Sequence, residues 1–142
     1  MLVIILLLRL IDSALITLDG FSTLNITNSS FIDSNAQSIV FIGLVPSPAL
    51  RSHFKFVDVT FQGNTGIYAL NGNGIQGTLE RCSFLHNSFS SIYVINSDIN
   101  VINCQFQDNY SSYSQLIIYV DNDGISLSVL YHINIINSTF IE

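Results

Sequence analysis

The chain has 142 residues, the size of one ordinary domain, with 49 % hydrophobic and only 10 % charged residues. Typical globular chains carry about 25 % charged residues, and so apolar a composition excludes intrinsic disorder. The net charge is −6, and the four basic residues Arg9, Arg51, Lys55 and Arg81 are scattered; nucleic acid is excluded as a partner, because phosphate binding needs clustered Lys or Arg.

Residues 1–18, "MLVIILLLRLIDSALITL", are the most apolar segment. Arg9 and Asp12 interrupt it, and it falls short of the ~20 apolar residues of a spanning helix. It reads either as a secretory signal, with Ser13–Ala14 near the cleavage point, or as the first buried strands of the fold. Against a signal stand the missing basic start and Asp12, three places before a cut after Ala14, where a small residue is wanted.

From residue 19 onward one strand-like octet recurs. It appears as "LNITNSSF" (24–31), "FKFVDVTF" (54–61), "GTLERCSF" (77–84), "INVINCQF" (99–106) and "INIINSTF" (133–140). Counting back from each closing Phe, position −7 holds Leu24, Phe54, Gly77, Ile99 and Ile133, and position −5 holds Ile26, Phe56, Leu79, Val101 and Ile135. Apolar residues at −7 and −5 around a polar −6 give the period of two of a half-buried strand. The phase shifts before Phe, so a bend is expected there. Position −2 is small: Ser29, Val59, Cys82, Cys104 and Ser138. Three places after Phe stands Asn64, Asn87 or Asn109, with Asn35 one place further on in the first copy. Asn tolerates left-handed backbone, so it predicts a second corner. A short apolar run follows each copy, such as "SIVFI" at 38 and "SIYVI" at 91.

The Phe residues are 30, 23, 22 and 34 places apart. A period of this size marks a solenoid. The long intervals imply loop insertions near 43–52, where both prolines lie, and near 121–130, where "DNDG" signals a hairpin turn. A leucine-rich repeat would also need an apolar residue ten places before Phe, and Arg51, Gly74 and Asn96 fail that column. The expected fold is therefore all-β: a right-handed parallel β-helix of about five coils, forming a partial domain. In it Phe31, Phe61, Phe84, Phe106 and Phe140 stack inside, and Asn64, Asn87 and Asn109 form a ladder at the corner.

The copies "FQGN", "FLHN" and "FQDN", preceded by "RCS", "NCQ" or "NSS", resemble the F-x-x-N repeats of polymorphic outer-membrane proteins, and more broadly the pectin-lyase-like β-helix superfamily. The G-G-A-I tetrapeptide that often accompanies F-x-x-N is absent, as is a C-terminal β-barrel. The resemblance implies fold and exposure at an extracellular or cell surface, not a transport mechanism.

No residue set compels a reaction. The pair that in-register stacking would bring together, His86 and Asp108, could exchange a proton; the plainer reading is a solvated corner. Asp33 and Asp108, three coils apart, are too distant for glycoside hydrolysis. Asp121 and Asp123 read as turn residues rather than a calcium loop. Cys82 and Cys104 share a column in adjacent coils and are a candidate disulfide, although parallel Cβ vectors favour stacked thiols. Of the sequons at Asn25, Asn28, Asn109 and Asn137, only Asn25 suits a glycan. No metal or cofactor is expected. The expected function is a non-catalytic secreted or surface scaffold of the adhesion type, engaging a cell-surface protein or glycan. The alternative is a carbohydrate-binding or carbohydrate-processing β-helix that uses Tyr68, Tyr93, Tyr110, Tyr113 and Tyr119. With no polar cap evident at either end, end-to-end self-association is expected.

Overall fold

The computed structural model describes residues 14–18, 23–42, 51–88, 90–110, 118–121 and 132–141. These residues are all-β, with no helix among them. The strands are β1 (Ala14–Leu18), β2 (Thr23–Ile32), β3 (Ser38–Ile42), β4 (Ser52–Gln62), β5 (Tyr68–Asn73), β6 (Ile75–Glu80), β7 (Ser83–Leu85), β8 (Ser90–Ile95), β9 (Asp98–Ile102), β10 (Gln105–Gln107), β11 (Ile118–Asp121), β12 (Ile133–Ile136) and β13 (Thr139–Ile141).

Two sheets share these strands. The smaller runs β1-β3-β5-β8-β11, and the larger takes the other eight. Every pairing between described strands is parallel. Order across each sheet follows order along the chain. In the larger sheet β2 pairs with β4, which pairs with both β6 and β7; β9 and β10 follow, then β12 and β13. The octets thus lie one upon another in exact register: Phe31 opposite Phe61, Phe61 opposite Phe84, Phe84 opposite Phe106, and Phe106 opposite Phe140. Repetition of apolar columns enforces this, since a slip of one residue would turn every inward side chain outward.

The bend before Phe falls on position −3. Asn28, Asp58, Arg81, Asn103 and Asn137 all have φ between 48° and 56°. This left-handed residue consumes one place without advancing the strand alternation, which is why the apolar phase slips between −5 and zero. β2 and β4 run through the bend, whereas later repeats break there into β6/β7, β9/β10 and β12/β13.

The second corner differs from the expectation. The left-handed residue is at +2, in Asp33, Gly63, His86 and Asp108, and not at the asparagine one place later. Asn64 and Asn87 are buried instead. In the first repeat the equivalent position is filled by Ser34, which is buried, while Asn35 is exposed. A third left-handed turn, at Gly74 and Asn96, leads into β6 and β9.

One hydrophobic cluster joins the two sheets, uniting Phe56, Phe61, Phe84 and Phe106 of the larger with Leu70, Ile92 and Val94 of the smaller. Gly77 stands where the neighbouring repeats carry Phe54 and Ile99; the Phe54 ring occupies the space that a side chain at Gly77 would need. Of the expected loops, residues 43–50 lie outside the described residues, and Ser52 already opens β4. The expected hairpin at 121–124 also lies outside them except for Asp121, which ends β11 and pairs in parallel with Ile95. Residues 1–13 fall outside as well, while Ala14–Leu18, the end of the N-terminal segment, forms β1 and pairs with β3.

Candidate functional site

The most ordered polar feature is the asparagine column. Asn64 Nδ2 donates to Asn87 Oδ1 at 3.0 Å, and Asn87 Nδ2 to Asn109 Oδ1 at 2.9 Å. Each amide also holds backbone: Asn64, Asn87 and Asn109 donate from Nδ2 to the carbonyls of Phe31, Phe61 and Phe84. Their Oδ1 atoms accept the N–H groups of Ser34, Asn64 and Asn87. The ladder amides of Asn64 and Asn87 are thereby satisfied, the condition for placing polar groups in a core, whereas the buried Asn96 Oδ1 has no hydrogen-bond partner. These asparagines are committed to the scaffold.

Beside them the phenylalanines form a continuous stack. Ring centroids are 5.2 Å apart for Phe31 and Phe61, 4.8 Å for Phe61 and Phe84, and 4.7 Å for each of the next two pairs. The interplanar angle falls to 3° along the row. Phe140 ends the row with an exposed face.

The corner at +2 carries the titratable pair. His86 Nδ1 lies 3.3 Å from Asp108 Oδ2, and both side chains are exposed. Gln107 Nε2 donates to the same carboxylate oxygen at 3.1 Å, and Gln105 Nε2 to Gln107 Oε1 at 2.9 Å. Left-handed backbone at both residues turns their side chains outward at neighbouring corners. The pair could pass a proton to a bound group. Asp33 is separated from it by the repeat carrying Gly63.

A second cluster escaped the sequence reading. Asp98, at the start of β9, pairs with Arg51 through one carboxylate oxygen. The other oxygen accepts the His132 N–H at 2.8 Å and lies 3.8 Å from His132 Nδ1. Eight places before each Phe stand Thr23, His53, Gln76, Asp98 and His132. That column was the available signal for His132; Arg51 lies outside it, two residues earlier in its own repeat. On the outer surface Arg81 grips Asp58 with two hydrogen bonds, of 2.8 and 3.0 Å, and also pairs with Glu80. Hydrogen bonding from Arg81 holds the Asp58 carboxyl below its usual range.

Cys82 and Cys104 are free thiols, 1 % and 2 % exposed, and no disulfide joins them. Their sulfurs point at backbone carbonyls, Cys82 at Phe56 and Cys104 at Leu79. The hydrogen bond with Cys104, together with burial, pushes the Cys82 thiol well above its ordinary pKa. Raised in this way, the Cys82 thiol is a poor nucleophile. Among the described residues, no three His, Cys, Asp or Glu side chains gather to hold a metal ion.

Of the tyrosines, Tyr68 and Tyr93 stack with centroids 4.7 Å apart at 29°. Tyr119 lies in register with Tyr93, and Tyr110 is exposed beyond the asparagine column. Tyr113 lies outside the described residues. The structure therefore brings together two aromatic rings, one His–Asp pair and one Asp-centred cluster. Comparison of the chain with protein-family models, with curated proteins and with solved structures finds no match.

Proposed function

We infer that the chain is a right-handed parallel β-helix serving as a non-catalytic scaffold at an extracellular or cell surface, where its outer faces engage a surface protein or a glycan. Alternation of successive strands between two parallel sheets, in chain order, supports the solenoid reading. Right-handed winding follows from the strong bias of parallel crossovers. The observation that carries the scaffold reading is the filled interior. Phe56, Phe61, Phe84, Phe106, Leu70, Ile75, Leu79, Ile92 and Ile99 are all fully buried. Recognition is left to outward positions such as Asn100 and Asn134, whose amides bond at 3.0 Å along the stack.

Carbohydrate binding is the second reading, favoured by the stacked Tyr68 and Tyr93, because sugars lie on aromatic faces. Two assays separate the readings. The scaffold should leave acidic polysaccharides uncleaved; cleavage that His86→Ala abolishes would replace it with an enzyme. On a glycan array, retention that Tyr93→Ala removes would establish the carbohydrate reading over protein adhesion.

A further inference from the structure

The chain holds two cysteines, and consecutive repeats place them at the same position, two before Phe84 and two before Phe106. Their neighbours fix the match: Ser83 lies opposite Gln105, and the Cys82 carbonyl accepts the Gln105 N–H at 2.9 Å. At the spacing of parallel neighbours the two Cα atoms are about 4.8 Å apart, inside the range that a disulfide spans. Both side chains turn into the core, and a hydrogen bond joins the two thiols.

Neither cysteine lies within a strand. Each follows the left-handed residue of its bend, Arg81 at φ 52° and Asn103 at φ 53°, in the gap between β6 and β7 or between β9 and β10. The pleat that keeps Cβ atoms of paired strand residues parallel is interrupted there, so rotation about χ1 and a small shift of the bend can bring the sulfurs together. Cys82 donates the shared hydrogen bond, which favours the Cys104 thiolate and pulls that thiol down to about 7. A thiolate beside a protonated thiol is the starting arrangement for thiol–disulfide exchange. No third thiol competes, since the same column holds Val59 on one side and Ser138 on the other.

We propose that Cys82 and Cys104 are a redox pair that closes into an intramolecular disulfide, stapling the repeats of Phe84 and Phe106, when the chain meets a small-molecule disulfide such as oxidised glutathione. The Cys104 thiolate attacks one sulfur of glutathione disulfide; that S–S bond breaks, and one glutathione leaves as thiolate. The Cys82 thiol gives its proton to the released thiolate and attacks the Cys104 sulfur of the mixed disulfide. The second glutathione leaves and recovers from solvent the proton that Cys104 lost on ionising. Two protein thiols are thereby oxidised by two electrons, and glutathione disulfide is reduced to two glutathione molecules. Both thiols are covered, so exchange waits on opening between the repeats or precedes their closure during folding. An extracellular setting supplies such an oxidant, and the chemistry does not depend on what the outer faces bind.

Serine variants are the fitting controls, because Ser29 and Ser138 already fill this column. Ser29, Cys82, Cys104 and Ser138 each reach the carbonyl two residues earlier, those of Thr27, Glu80, Ile102 and Ile136. The full chain is incubated with oxidised glutathione, both folded and during dilution from urea, then alkylated, and its intact mass is measured. Both thiols should be lost as one intramolecular bridge, with no glutathione retained. The urea midpoint should rise on oxidation and fall back with dithiothreitol. Cys82→Ser should instead keep a glutathione on Cys104, and folded Cys104→Ser should react slower than Cys82→Ser by roughly tenfold or more. Two alkylatable thiols after dilution from urea into excess oxidant would overturn the proposal, as would disulfide-linked dimers or a glutathione adduct that persists on the unaltered chain. An oxidised chain no more stable than the reduced one would remove the staple, and equal rates for the two serine variants would overturn the assignment of Cys104 as the attacking thiol.

Discussion

Phe84 illustrates how much one ladder residue carries. It is fully buried and stacked on both faces, against Phe61 and Phe106. Phe84→Ala removes a buried aromatic and two stacking contacts, and should cost about 3–5 kcal/mol. Phe61 and Phe106 should behave alike, while Phe140, with one face exposed, should cost visibly less; urea unfolding of the four variants checks the order. Arg81 makes the opposite case. It holds a left-handed backbone that costs an ordinary L-residue about 1–2 kcal/mol, in a column otherwise filled by Asn and Asp. Its ion pair with Asp58 is exposed, and exposed pairs contribute little. Arg81→Asn should therefore leave the urea midpoint equal or higher. Arg81→Val, β-branched at the same φ, should lower it clearly.

At the scale of the element, strand periodicity, the bend before Phe and the in-register Phe column were all readable from five aligned octets. The second corner was misread for a physical reason. Asparagine suits two different tasks, left-handed backbone and amide ladders; the sequence reading gave both to the column of Asn64, Asn87 and Asn109, and only the ladder is there. Here the ladder took Asn64 and Asn87, and the left-handed φ went to the mixed column of Asp33, Gly63, His86 and Asp108. Ser34 could replace asparagine in the first repeat because its N–H still reaches Asn64 Oδ1. The Asp98 cluster was legible only in part: the column eight places before Phe aligns Asp98 with His132, but Arg51 stands outside that column, two residues before His53. A ladder amide must donate on one side and accept on the other. Asn87→Asp keeps the acceptor but loses the donors to Phe61 and Asn109. It should destabilise by about 2–3 kcal/mol at neutral pH, the cost of stranding buried partners of a charge. Acidification should recover part of that loss, because a protonated carboxyl regains one donor; unfolding midpoints at pH 7 and pH 4 measure the difference.

Across the whole molecule, stability rests on contacts between neighbouring repeats rather than on a unique centre. Stacked rings, amide ladders and backbone bonds each join one repeat to the next, and the two middle repeats connect Asn87 to Asn109 at a separation of 22 residues. Stability in such arrays is close to a sum over neighbours. Inserting a second copy of residues 88–109 directly after Asn109 should keep every column in phase, and the lengthened chain should show unchanged parallel-strand circular dichroism per residue. Inserting three residues between Phe106 and Asn109 should instead break the Phe and Asn columns at that repeat, measured as loss of amide protection in 105–107.

That constancy of phase has a consequence in heredity. Where a block such as residues 88–109 meets its neighbours through the same columns, an unequal crossover that adds or removes its 22 codons, 66 nucleotides of coding sequence, should yield a protein that still folds. Most insertions of that size would be lethal to a globular core; here the change is one of reach, about 4.8 Å per block. Length in such a chain can drift under recombination while the fold stays fixed, so related genes should differ in repeat number more readily than in the Phe and Asn columns.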